Sequence, residues 1–269
     1  MSVHRINIHA LKRSNALMVR AARASTGWYH RPAQVIYSHA ANHTCAFTDT
    51  HKHTKKRIVF LGTPDVSADS LQMLVNACKQ DFDTSEGKHA NYDIIAVVTQ
   101  PPAPAGRNLK IQPSPVQLLA ETLQIPCMTP ASAKDPSFLQ ELAALKPDLA
   151  ITVAYGNFLP KQFLQIPVHG TLNIHPSLLP RYRGAAPVQR CLEAGDAITG
   201  VTIAETVLAM DSGPVVYQHQ HALHGHEKGP NLLRALVIQG ERVDSCTRIF
   251  TYSTYIYTCT RIFTYSTYM

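Results

Sequence analysis

Short apolar runs separated by helix-patterned segments constrain this chain more than any other feature. Arg57-Ile-Val-Phe-Leu-Gly62, Asp93-Ile-Ile-Ala-Val-Val-Thr99 and Leu149-Ala-Ile-Thr-Val-Ala154 are β-rich and strand-length. They do not alternate polar with apolar residues, so both faces of each must be covered. The first is followed by a helix pattern from Val66 to Lys79, with Leu71, Leu74 and Val75 on one side. Helices are also predicted from about Val116 to Leu123, Pro136 to Leu145 and Pro187 to Ala194, with strands at Ile125–Met128 and Thr171–His175. Such alternation builds βαβ units, and the expected fold is α/β: a Rossmann-like, mostly parallel sheet flanked by helices. Gly62-Thr-Pro-Asp65 lacks the G-x-G-x-x-G spacing of a dinucleotide site. Gly200–Val207 alternates as an antiparallel edge or hairpin strand does, with Val215–Gln218 its partner across Asp211-Ser-Gly213. Proline-rich Gln100–Pro115 reads as a loop, Asp81–Asn91 as a surface insertion, and Glu227–Gly240 as a closing helix.

The strand candidate Thr171-Leu-Asn-Ile-His175 ends in polar groups. Side chains two apart on a strand share a face, so Asn173 and His175 point the same way, about 6–7 Å apart. That separation suits holding one small reacting centre. Pro176 stops ladder pairing, Ser177 to Gly184 must form an irregular loop, and Pro187 stands where a first helical turn begins. Open α/β sheets bind ligands at such strand ends. The residues alone also fit a polar strand end with a proline-rich turn, and Asp211-Ser-Gly213 by itself reads as a β-turn.

The run Asn173-Ile-His-Pro-Ser-Leu-Leu-Pro-Arg-Tyr-Arg-Gly-Ala-Ala-Pro187 resembles the signature of the formyltransferases that use 10-formyltetrahydrofolate. Its Arg181–Arg190 part is similar to the branch acting on methionyl-tRNA. Gly62-Thr-Pro-Asp65, Val153-Ala-Tyr-Gly156 and Thr199-Gly-Val-Thr-Ile203 also look like that family, so the likeness runs from about Arg57 to Gln218. The resemblance implies an enzyme that moves a formyl group from N10 of the folate to the amine of methionyl initiator tRNA. In such acyl transfer the costly feature is charge on the tetrahedral oxygen, which preorganised donors offset. The resemblance makes Asn173 an oxyanion donor, His175 a donor or proton carrier, and Asp211 the carboxylate that orients the imidazole. It requires no metal and no covalent nucleophile. It places Ser177, Leu178, Leu179 and Pro180 against the folate, with Asn157, Phe158 and Leu159 lining the pteridine pocket. Arg107 and Lys110 correspond to tRNA contacts, in a loop poorer in charge than the family's. Arg181 and Arg183 read as partners of tRNA phosphates, of the folate glutamate tail, or of solvent. A small-amine acceptor, and a non-catalytic folate- or RNA-binding remnant, are the alternative readings.

The two ends differ from the middle. Met1 to Thr48 contains no Asp or Glu, while Arg5, Lys12, Arg13, Arg20, Arg23 and Arg31 contribute six of the cations behind the net charge of +7. Arg-rich, acid-free sequence is the composition of an organelle transit peptide. It implies residues 1–53 as a mitochondrial targeting segment and a role in organellar translation initiation, a plastid or the cytoplasm being the alternatives. The catalytic domain is expected over 55–245. Beyond it Thr247–Tyr255 recurs at Thr260–Tyr268, an anomalous β-prone tail. The family's C-terminal tRNA-binding domain is expected to be absent. No apolar run approaches the ~20 residues of a membrane helix, and the expectation is a monomer with no membrane partner. Six cysteines match no zinc framework and read as free thiols, and the His219, His221, His224 and His226 tract lacks a completing ligand.

Overall fold

The computed structural model describes residues 55–80, 92–105 and 109–241. The expected targeting segment, the insertion before residue 92, Arg107 and the C-terminal repeat lie outside them. Strand β1 (Lys56–Gly62) leads into helix α1 (Asp65–Gln80), and β2 (Tyr92–Val98) follows. Next come β3 (Ala103–Ala105), β4 (Lys110–Gln112), α2 (Pro115–Thr122), β5 (Cys127–Met128) and α3 (Pro136–Ala144). The chain continues through β6 (Leu149–Val153), α4 (Lys161–Leu164), β7 (Thr171–His175) and α5 (Pro187–Glu193). It closes with β8 (Ile198–Glu205), β9 (Val215–Ala222) and α6 (Gly229–Glu241).

Seven strands form one sheet in the order β5-β2-β1-β6-β7-β8-β9. The pairs from β5 to β7 are parallel, and β7–β8 and β8–β9 are antiparallel. The β1 side chains explain why its run is apolar throughout. Ile58 and Phe60 join one core with Leu71 and Leu74 of α1, Val116 of α2 and Leu232 and Leu236 of α6. Val59 and Leu61 join the other with Phe138 and Leu142 of α3 and Phe163 of α4. Each such side chain, fully buried, contributes about 1.5–3 kcal/mol. The starts of α2 and α3 are set locally. Ser114 accepts from Gln117 N at 3.0 Å ahead of Pro115, and Asp135 accepts from Ser137 N at 3.0 Å ahead of Pro136.

Two sequence expectations change. The Gln100–Pro115 segment is not wholly loop, because β3 and β4 pair as a small antiparallel ribbon outside the main sheet. Pro104 stands in it, which is tolerated because the ribbon is all edge. Strand β8 is the hairpin partner of β9, as one reading held, but it is interior rather than an edge: β7 covers its other side. Thr202 gives β8 its polar-looking alternation, yet it is fully buried. Its hydroxyl donates to Ser177 O at 2.6 Å and accepts from Leu179 N at 3.0 Å. The strand candidates at 57–62, 93–99, 149–154 and 171–175 all appear, within a residue or so.

The chain leaves β1 in one direction to reach β2 and later returns to β6 on its other side. The carboxyl ends of β1 and β6 therefore flank a switch point, where ligands enter sheets of this kind. Thr63 Oγ1 donates across it to Tyr155 O at 2.9 Å.

Candidate active site

Asn173 and His175 leave β7 on one face, as their spacing requires. Asn173 is paired in register with Thr152 of β6, whose hydroxyl donates to Asn173 Oδ1 at 2.8 Å. With its oxygen so engaged, the amide presents Nδ2 to Asp211 Oδ1 at 3.2 Å. Asp211 lies in the β8–β9 connection with φ +44°, and Oδ2 accepts from Gly184 N at 2.7 Å. The same oxygen lies 3.7 Å from His175 Nδ1, and the two side chains are only 7% and 15% exposed. His175 Nε2 faces the Tyr182 carbonyl at 3.0 Å, and since a carbonyl only accepts, that nitrogen carries a hydrogen. One carboxylate thus gathers an amide, an imidazole and a main-chain N–H, and the three residues expected to be catalytic converge.

The loop after β7 is built from inside. Ser177, fully buried, donates to Arg181 O at 2.7 Å. Gln218 Nε2 of β9 donates to Leu179 O at 2.8 Å and to Thr202 Oγ1 at 2.9 Å. The Leu179–Pro180 peptide is cis. Leu178 lies against Gly200, where a Cβ would meet that side chain and the His219 carbonyl oxygen. Of the residues expected against the folate, Ser177 and Leu179 are buried, Leu178 is half-buried and Pro180 is exposed. The Ser177 hydroxyl organises the loop.

Asn157, Phe158 and Leu159 follow β6 beside the switch point. Asn157 Oδ1 accepts from Gln100 Nε2 at 3.3 Å, which also reaches Tyr155 O at 3.3 Å. Burial pushes the Tyr155 phenol above its ordinary range, opposed by Asn157. Phe158 is 57% exposed, whereas Leu159 belongs to the core.

The cations divide. Arg181 pairs with Asp196 at 3.0 Å and lies 5.2 Å from the centre of the Tyr182 ring. The Tyr182 hydroxyl donates to Asp196 at 2.8 Å, which holds that phenol above its usual range. Arg190 Nη2 donates to Tyr182 O at 3.2 Å and Arg183 O at 2.7 Å. Arg183 and Lys110 are exposed, as is Arg181, and Arg183 joins this network through its main-chain carbonyl. His221 of the histidine tract meets Gln239 at 3.1 Å, and the His224 and His226 rings stack at 6.0 Å. Among the described residues no cluster of three or more His, Cys, Asp or Glu is placed to hold a metal, and no helix is long and apolar enough to cross a membrane.

Thr152, Tyr182, Gly184, Arg190, Thr202 and Gln218 also build the site, and sequence reasoning did not find them. Thr152 had a signal, a lone hydroxyl in an otherwise apolar strand. Gln218 had none, because its role depends on the register of β9.

Residues 56–236 match the family model described as formyl transferase. The methionyl-tRNA formyltransferase of Marinobacter nauticus is 46% identical over 184 residues, 68% of this chain and 55% of that protein. That of Rhodococcus erythropolis is 43% identical over 184 residues, 68% of this chain and 56% of the other. The chain therefore spans about half the length of the curated relatives it matches. Among solved structures, phosphoribosylglycinamide formyltransferase from Bacillus halodurans has a TM-score of 0.57 at 18% identity, over 72% of this chain and 93% of that one. This last likeness is one of fold.

Proposed function

The chain belongs to the formyl transferase family, and from that premise we propose that it transfers the formyl group of 10-formyltetrahydrofolate to the amino group of methionyl initiator tRNA. The observation that carries the reading is the convergence of Asn173 and His175 on Asp211. Formyl transfer needs donors for a developing oxyanion and a carrier for one proton. The Asn173 amide has two N–H groups. Asp211 takes one, which aims the other away from the carboxylate and toward an incoming formyl oxygen. His175 carries the proton, and the adjacent Asp211 offsets positive charge on the ring.

The fit to a folate rests on the crevice beside β1 and β6. Asn157, Gln100 and main-chain groups there offer edge hydrogen bonds, and Phe158 offers an exposed apolar face. The pteridine would lie among them, with Pro180 and the Leu178 main chain on the reacting side. For the acceptor, support comes from the methionyl-tRNA formyltransferases at 43–46% identity, against 18% for the glycinamide enzyme. Arg183 and Lys110 are exposed cations that could meet tRNA phosphates, while the exposed Arg181 is already paired with Asp196.

The test is to incubate the chain with formyl-labelled donor and either methionine-charged initiator tRNA or small amines such as glycinamide ribonucleotide. Label on the tRNA is the expected result; label on a small amine alone would overturn the acceptor. Composition of residues 1–48 supports action in mitochondria, in organellar translation initiation. A fluorescent protein fused behind residues 1–53 should enter mitochondria, and a diffuse cytosolic signal would refute this part.

A further inference from the structure

Arg190 stands outside the reacting group, yet it shares an atom with His175. The shared atom is the Tyr182 carbonyl oxygen, 3.0 Å from His175 Nε2 and 3.2 Å from Arg190 Nη2. Tyr182 has φ +56°, a left-handed conformation that is strained for a non-glycine residue. Its neighbours hold it there. Its hydroxyl bonds Asp196, and the Arg181 and Arg190 guanidinium groups lie 5.2 and 5.7 Å from its ring centre. Arg190 Nη2 also takes Arg183 O at 2.7 Å, so one nitrogen ties two successive carbonyls. Strain over-determined by its surroundings in this way marks functional positions.

We propose that Arg190 is a positioning residue: through the Tyr182 carbonyl it keeps His175 in the Nε2–H form, leaving Nδ1 as the nitrogen that exchanges a proton with the reactants. The proposal rests on the formyl-transfer reading for its chemistry. A carbonyl oxygen has two lone pairs. With the guanidinium on one, the other is held toward the imidazole, and a ring turned by a half rotation would lose this bond. The free nitrogen, Nδ1, then faces Asp211 Oδ2 at 3.7 Å, on the side where Asn173 Nδ2 also lies. This inverts the serine-protease arrangement, in which the carboxylate holds Nδ1–H and Nε2 carries the proton. Here one C–N bond forms to the attacking amine and the C–N10 bond breaks. Neutral His175 accepts at Nδ1 the proton the amine releases and returns it to the departing nitrogen, so no net proton is gained or lost.

The experiment has a readout independent of turnover. Nitrogen-15 spectra of the full chain, with His175 assigned by its loss in His175→Asn, report which ring nitrogen bears hydrogen in the neutral form. Nε2–H alone is expected, and Nδ1–H in the unsubstituted chain would overturn the proposal. Arg190→Met should give a mixture of forms and lower kcat about tenfold to a hundredfold, the worth of one charge-assisted hydrogen bond, with KM changed less. Arg190→Lys should restore most of both. A pure Nε2–H form in folded Arg190→Met would reduce Arg190 to scaffolding and sink the idea. If Arg190→Met does not fold, Arg190→Lys decides: its kcat should follow its proportion of Nε2–H, and a fall in kcat with that form intact would overturn the proposal. Failure of the unsubstituted chain to transfer formyl groups would instead strike the functional reading, and the spectra would still decide the ring form.

Discussion

Thr152 has no reactive role of its own, but the direction of the Asn173 amide depends on it. Its hydroxyl donates to Oδ1, so the NH2 side must face Asp211. Valine at 152 keeps the shape and removes the donor. Thr152→Val should lower kcat about tenfold while changing stability by about 1 kcal/mol, read from steady-state kinetics and urea unfolding. On the proposed reading Asn173 is the oxyanion donor, and Asn173→Ala should lower kcat by ~10²–10³. Near-full turnover in Asn173→Ala would refute its role. Asn173 and His175 were legible because two residues on one strand share a face whatever the strand pairs with. Asp211 was legible only through family resemblance, since Asp-Ser-Gly is an ordinary turn. Thr152 showed only as a lone hydroxyl in an apolar strand, with nothing to say that it faces Asn173, and the left-handed turn at Tyr182 carries no sequence pattern.

At the scale of elements, α2 and α3 begin where short-range chemistry says they should, each at a side-chain cap ahead of a proline. The Ser114 hydroxyl caps α2 and also meets Thr99 Oγ1 at 2.7 Å, tying the helix to the end of β2. Ser114→Ala should cost about 1 kcal/mol by chemical denaturation. Strand β8 was harder to read. Thr202 looks like part of a solvent face but is buried, because it fastens the Ser177–Leu179 loop. Alternation signals a wet face only when the polar residue has no internal partner. Gly200 shows how close the hairpin and that loop are: any Cβ meets the His219 carbonyl and Leu178. Gly200→Ala should therefore destabilise the protein by about 1–3 kcal/mol through overpacking, and an unchanged midpoint would contradict the close approach. The β3–β4 ribbon escaped notice because prolines mask its brief pairing.

For the molecule as a whole, the continuous apolar runs predicted the parallel sheet correctly because both of its faces are covered by helices. Its stability should also depend on pH through His169, in the connection between α4 and β7. Burial, with a smaller contribution from Lys56, pushes this imidazole below its ordinary 6.5. The unfolded chain then binds the proton more readily, so stability is fully present above about pH 6.5 and falls as pH drops below it. The melting temperature should be lower at pH 5.5 than at pH 7.5, and His169→Gln should shrink that difference; an unchanged difference would assign it to other groups. Finally, β7 is the last parallel strand and the one on which the antiparallel pair is laid. A hairpin such as β8–β9 forms from neighbouring residues within microseconds, whereas parallel crossovers must first close long stretches of chain. Asp211 therefore belongs to a fast-forming segment and Asn173 and His175 to a slow one. Recovery of activity after dilution from denaturant should lag behind hairpin formation and keep time with the crossover strands.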